Sequence, residues 1–199
     1  MRKHKVLFLT IYMVLITSVH ADMLETYNNS RYGFSFEYPV NFRIDENPFS
    51  IKIISEDSDN YRLTIRVEDL NPHLKKKSYY FSFNKFKACV SDVIRDWCFR
   101  EGPIGKDDDL WGEVYCTTIA REYNYKNKYG VEVYEFYYNE VTKIRNNEKK
   151  AKITGPVFAI DISKKKQIAL LFGFPPGQSF NKNQVDFMRK VIDTIKLKN

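Results

Sequence analysis

Three cysteines, a single histidine beyond residue 20 and one acidic triplet are the residues of this 199-residue chain whose types could carry chemistry. His73 stands alone in a polar stretch. Hydrolase triads, HExxH metal sites and Cys₂His₂ zinc sites need histidine at positions the chain does not supply, so His73 reads as a solvated loop residue. A cysteine nucleophile paired with His73 would need a thiol of lowered pKa, as found at helix N-termini. Helical periodicity instead puts Cys89 inside a helix and Cys98 near its end. Asp107, Asp108 and Asp109 offer hard oxygen ligands for calcium, but the EF-hand count fails. Taking Asp107 as position one puts Gly112 correctly at six, yet Trp111 occupies a ligand position and Thr118 replaces the closing glutamate. Glu135 and Glu140 could serve as paired carboxylates, with no spacing that singles them out. The chain has no GxGxxG and no GxxxxGK[ST], which argues against nucleotide chemistry. No cofactor, no metal and no catalytic residue is therefore expected.

Cysteine use depends on compartment. Arg2, Lys3 and Lys5 form a basic start, Val6 to Val19 is an apolar run, and Val19-His20-Ala21 fits a small-x-small cleavage site before Asp22. Residues 1–21 read as a signal peptide and residues 22–199 as one exported domain, periplasmic or extracellular. The apolar run is about 14 residues where a membrane span needs about 20, so no transmembrane span is expected after its removal. No cysteine follows the run to take a lipid anchor. In an oxidising compartment three cysteines allow one bridge and leave one thiol. Cys89 and Cys98 on one helix would stand roughly 13 Å apart, beyond bridging distance. Cys98 with Cys116 is the expected disulfide, three unbridged thiols being the alternative.

The elements that must position these residues follow from periodicity. Tyr32, Phe34, Phe36 and Tyr38 alternate as a strand with a buried aromatic face, ended by Pro39, with a turn returning Phe42 to the same core. Ser50–Ser55 and Tyr61–Asp69 read as antiparallel strands. Phe86, Val90, Val93, Ile94 and Trp97 form a helical stripe from about Asn84, closed by Gly102 and Pro103. Trp111 to Tyr125 and Val131 to Lys143 read as the two longest strands, paired through a turn at Asn127–Gly130. Val157–Ser163 and Gln167–Phe174 read as a hairpin turning at Lys164, Lys165 and Lys166. A last helix runs from Asn183 to about Leu197, with Val185, Met188, Val191, Ile192 and Ile195 on one face and Asn181 and Gln184 as its capping box.

The opening Tyr-Gly-Phe-Ser-Phe-Glu-Tyr-Pro with Phe42, placed soon after an export signal, and the closing Phe187, Val191, Ile192, Thr194, Ile195 and Lys196 resemble the PsbP-like family. That resemblance implies an α+β fold, an antiparallel β-sheet meander flanked by helices in an α/β/α sandwich. It implies no particular activity, because members share a scaffold rather than a site.

Length and a 43% apolar, 16% aromatic composition suit one globular domain. The net charge of +7 falls to about +4 without the signal segment, which mildly favours anionic partners. Arg121 to Lys126 interleaves basic and aromatic residues as single-strand nucleic-acid binders do, but export argues against nucleic acid. The expected function is an exported, non-enzymatic binding or assembly protein that contacts a protein partner or the envelope surface. Lys164, Lys165 and Lys166 with Tyr134 and Tyr138 form its candidate interaction surface. The alternatives are a small hydrolase or thiol-dependent enzyme, or a carrier of a hydrophobic ligand.

Overall fold

A computed structural model describes residues 23–55, 62–70, 82–103, 111–144, 149–163, 167–173 and 180–198. The elements run β1 (Leu24–Asn29), β2 (Phe34–Pro39), β3 (Phe42–Asn47), β4 (Ser50–Ser55), β5 (Arg62–Asp69), α1 (Phe83–Cys98), β6 (Arg100–Pro103), β7 (Trp111–Lys126), β8 (Glu132–Ile144), β9 (Lys149–Ser163), β10 (Ile168–Phe172), α2 (Lys182–Asp193) and β11 (Lys196–Leu197). Among the described residues the fold is mostly antiparallel sheet with two helices. Eight strands form one sheet in the order β3-β4-β5-β10-β9-β8-β7-β6, and β1-β2-β11 form a second. Two runs of consecutive hairpins thus meet where β5 pairs with β10, so the large sheet is not one continuous meander.

The large sheet is covered on both faces. Val133, Phe158, Ile160, Leu170 and Phe172 point into a core with Phe34 and Phe36 of β2 and Met188, Val191 and Ile192 of α2. Their neighbours Tyr134, Phe136, Val157, Ala159 and Leu171 point the other way, into a core with Phe86, Val90, Val93 and Ile94 of α1. Period-two alternation sends successive residues to opposite faces, so unbroken apolar runs such as Val157–Ile160 mark strands buried on both. α1 lies on one face. On the other, the layer combines α2 with the three-stranded sheet rather than being helix alone.

Local chemistry sets the helix limits. The Ser82 hydroxyl accepts from the Lys85 amide at 3.3 Å to start α1, and Phe99 leaves it in an extended conformation. Gly102 and Pro103 do not close this helix: it ends four residues earlier, and they lie in β6, paired with Gly112 and Trp111. Trp97 is half exposed rather than part of the buried stripe, its ring under the Arg66 guanidinium at 3.8 Å; Cys98 takes the buried position instead. The expected capping box on α2 is present: the Asn181 side-chain oxygen accepts from the Gln184 backbone amide and the Gln184 side-chain oxygen accepts from the Asn181 backbone amide, both at 2.9 Å. α2 stops at Asp193, short of the expected Leu197. Thr194 caps it, and Lys196 and Leu197 pair instead with Ser35 and Phe34 of β2. Phe42 starts β3 rather than sitting in a turn, and β1, not expected from the sequence, pairs with β2 along its whole length.

Candidate binding cleft

The chain between Asn127 and Gly130 reverses β7 into β8, and its first residue fixes a distant element. Asn127 is buried, and its side-chain oxygen accepts from the amides of Tyr129 and Val131 at 2.9 and 3.0 Å. Its amide nitrogen donates to the carbonyls of Ile192 and Ile195, both at 2.9 Å. One side chain thus closes the hairpin and binds two carbonyls where the chain leaves α2: that of Ile192 in the last turn, which also accepts from the Ile195 amide at 3.2 Å, and that of Ile195 just beyond the helix. Gly130, at φ +77°, supplies the left-handed residue the turn needs.

A second tie holds α2 to β8. The Arg189 guanidinium donates to Glu135 at 2.7 Å, and the Tyr137 hydroxyl donates to the same carboxylate oxygen at 3.1 Å. Glu135 is buried, and its hydrogen bond holds the Arg189 guanidinium above its already high range. Burial, then the Glu135 charge, pushes the Tyr125 phenol up to about 12 and raises Tyr137 as well.

These ties leave a cleft of about 550 Å³ between the end of α2 and the three-stranded sheet. Leu24 and Pro39 line one side, and the stacked rings of Phe42 and Phe187, 5.0 Å apart, line another. The Thr194 hydroxyl accepts from the Glu37 amide at 2.8 Å and donates to the Val191 carbonyl at 2.7 Å, so it is committed as both donor and acceptor. Lys128 lies 3.8 Å from Glu37, while Lys190 and Asp193 reach the cleft from α2. The volume is that of a small-ligand site, and an aromatic wall with a few charged groups is the usual composition of one. Its chemistry is that of binding: apolar contact, ion pairing and hydrogen bonding.

The residues singled out in the sequence are dispersed. Cys98 and Cys116 form the disulfide, Cα atoms 5.6 Å apart, joining the end of α1 to β7. Cys89 is a buried thiol outside the disulfide, pushed up first by burial and then by Asp92, opposite to what a nucleophile needs. Tyr134 and Tyr138 are not an interaction surface. Both are buried on the face of β8 that α1 covers, and the Tyr134 hydroxyl donates to Glu122 at 3.0 Å, beside the Lys87 ammonium at 2.9 Å from the same carboxylate. Even-numbered residues of β8 turn toward α1, and nothing in the sequence distinguished that face from the other. Among the described residues the exposed tyrosines are Tyr123 and Tyr129, the latter between Lys128 and Lys196 ammonium groups at 5.1 and 4.4 Å from its ring.

Glu135 and Glu140 do not act together, because five residues of strand put them on opposite faces. Glu140 is buried and pairs with Lys152 at 3.0 Å. His73, Asp107 to Asp109, Lys164, Lys165, Lys166 and the signal segment lie outside the described residues. Among the described residues no group of three or more His, Cys, Asp or Glu side chains could hold a metal, and no helix is long and apolar enough to cross a membrane. The cleft itself was missed. Its only trace in the sequence is Phe187, a large aromatic at the edge of the buried stripe of α2, where it stacks on Phe42.

No family model matches the chain, and no curated protein matches it. Among solved structures it is similar to the cyanobacterial PsbP of Synechocystis sp. PCC 6803, at 9% identity and a TM-score of 0.45, over 90% of this chain and 95% of that one. It is also similar to a protein of Bacteroides thetaiotaomicron VPI-5482, at 12% identity and a TM-score of 0.33, over 88% of this chain and 48% of the other. These likenesses concern the course of the chain and say nothing of a ligand or a reaction.

Proposed function

We propose that the chain is an exported, non-enzymatic binding protein on a PsbP-like α/β/α sandwich, and that recognition takes place in the cleft between α2 and the three-stranded sheet. The observation that carries this reading is the cleft itself, a concave surface with a stacked Phe42–Phe187 wall and charged side chains at its rim. The Cys98–Cys116 bridge supports an oxidising compartment, periplasmic or extracellular. A thiol-dependent enzyme is disfavoured by the same bridge and by the burial of Cys89. The partner on this reading is a protein or envelope component that presents an apolar group to the cleft. Two-dimensional NMR of the chain against a collection of small fragments tests it. Shifts should gather on Phe42, Phe187 and Thr194; shifts scattered over the surface, or gathered elsewhere, would overturn the assignment.

A further inference from the structure

Of the four charged residues that line the cleft, two neutralise one another. Lys128 pairs with Glu37 at 3.8 Å, on the wall formed by β2 and the β7–β8 turn. The other two stand on α2 and, among the described residues, make no ion pair or side-chain hydrogen bond: Lys190, a cation, and Asp193, an anion whose charge also acts on the Tyr125 phenol. This is not a general property of the helix, since Lys182 and Asp186 on α2 do pair, at 3.6 Å. Three residues apart, Lys190 and Asp193 emerge from the same side of α2 with Cβ atoms about 5–6 Å apart, so one small ligand can touch both. A simple carboxylate or phosphate placed on Lys190 would bring its charge against Asp193. A simple amine placed on Asp193 would meet Lys190 in the same way. Among charged ligands, only one that carries both charges leaves neither group opposed and gives each a counter-charge. The adjoining wall is apolar and aromatic, formed by Phe42, Phe187 and Val191.

We infer that the cleft takes a small zwitterion with an apolar side chain, an apolar amino acid or short peptide with free termini. Its carboxylate faces Lys190, its ammonium faces Asp193, and its side chain lies on the Phe42–Phe187 pair. This rests on the cleft being the binding site and adds the class of ligand. It also separates the site from a pocket for a fatty acid or a purely anionic headgroup, which would show unpaired cations alone.

The test compares four probes on the full chain: leucyl-leucine, its N-acetyl derivative, leucyl-leucinamide and N-acetyl-leucyl-leucinamide, titrated by NMR with Phe187 and Thr194 as reporters. Leucyl-leucine should bind about fivefold or more tightly than either singly charged probe, the scale of one partly exposed ion pair. Lys190→Gln should abolish its advantage over leucyl-leucinamide while keeping that over the N-acetyl derivative, and Asp193→Asn should do the reverse. Both side chains are at the exposed surface of α2, so neither change removes a core contact. If all four probes move the cleft resonances with affinities within twofold, the zwitterion assignment is wrong and the cleft remains a binding site. If none moves them while circular dichroism shows an intact fold, the zwitterion assignment falls, and if the fragments also leave Phe42, Phe187 and Thr194 unmoved the cleft reading falls with it.

Discussion

Replacing Asn127 by aspartate changes almost no volume but converts the two N–H donors of its side chain into an oxygen that can only accept. The retained oxygen still accepts from the amides of Tyr129 and Val131, so the hairpin keeps its turn. The cost falls on the end of α2. Two hydrogen bonds to Ile192 and Ile195, each worth about 1 kcal/mol, are lost, and both carbonyls then face a buried negative charge instead of a donor. With about 1–2 kcal/mol added for that desolvated, unpaired contact, Asn127→Asp should destabilise the protein by about 3–4 kcal/mol at pH 7. For a domain of this size that lowers Tm by about 10 °C. The pH dependence makes the reasoning specific. Only the protonated form of the new carboxyl can donate to either carbonyl, so its folded pKa is raised above the unfolded value of about 3.9. A group with a raised folded pKa contributes stability that is present below the unfolded pKa and lost as pH rises through the folded one. The gap between variant and parent should therefore be narrow near pH 4 and wide at pH 7, as read from urea unfolding at both. A variant within about 0.5 kcal/mol of the parent at pH 7 would refute the assigned role of Asn127. So would a gap of equal size at both pH values.

Other expectations follow from the same contacts. Opening the Cys98–Cys116 bridge, by reductant or by Cys98→Ser with Cys116→Ser, releases a loop of sequence separation 18 and should cost about 3 kcal/mol; thermal melts unchanged by reductant would refute it. Arg189→Met leaves the buried Glu135 carboxylate with the Tyr137 hydroxyl as its remaining partner and should cost about 2 kcal/mol, less than a fully buried pair because Arg189 is half exposed. Adding Glu135→Leu should recover most of that loss, and a double variant as unstable as the sum of the two single changes would argue against the pair. Burial pushes Tyr38 and Tyr125 up to about 12 from 10.0 in the unfolded chain, so the folded state favours the neutral phenols. Their stabilisation is complete below pH 10 and lost as pH rises from 10 toward 12, and tyrosinate absorbance should appear together with unfolding rather than before it.

Much of the secondary structure was legible because it depends on local periodicity. The aromatic alternation of Phe34, Phe36 and Tyr38, the stripe from Phe86 to Ile94 and the Asn181–Gln184 box all formed as their spacing requires. The limits were less legible: Ile195 continues the apolar stripe of α2 in sequence, yet the chain leaves the helix there because Lys196 and Leu197 gain a strand partner in β2. β1 was invisible. Its mostly exposed Leu24–Asn29 has no alternation of burial to detect, and it is a strand only because β2 pairs with it.

By itself, then, the sequence determined antiparallel strands with two amphipathic helices and excluded a Cys89–Cys98 bridge, which follow from spacing along one segment or from the reach of one helix, while the structure settled Cys98–Cys116. Tertiary structure alone decided which face of each strand is covered, and this moved Tyr134 and Tyr138 from a surface into the core under α1. It also decided the cleft. Leu24, Glu37, Phe42, Lys128, Phe187 and Asp193 come from five separate stretches of chain, and what joins them is Asn127 reaching the end of α2 and Glu135 holding Arg189. Periodicity records how a segment meets its own neighbours. A site built where distant segments converge leaves no period in any of them.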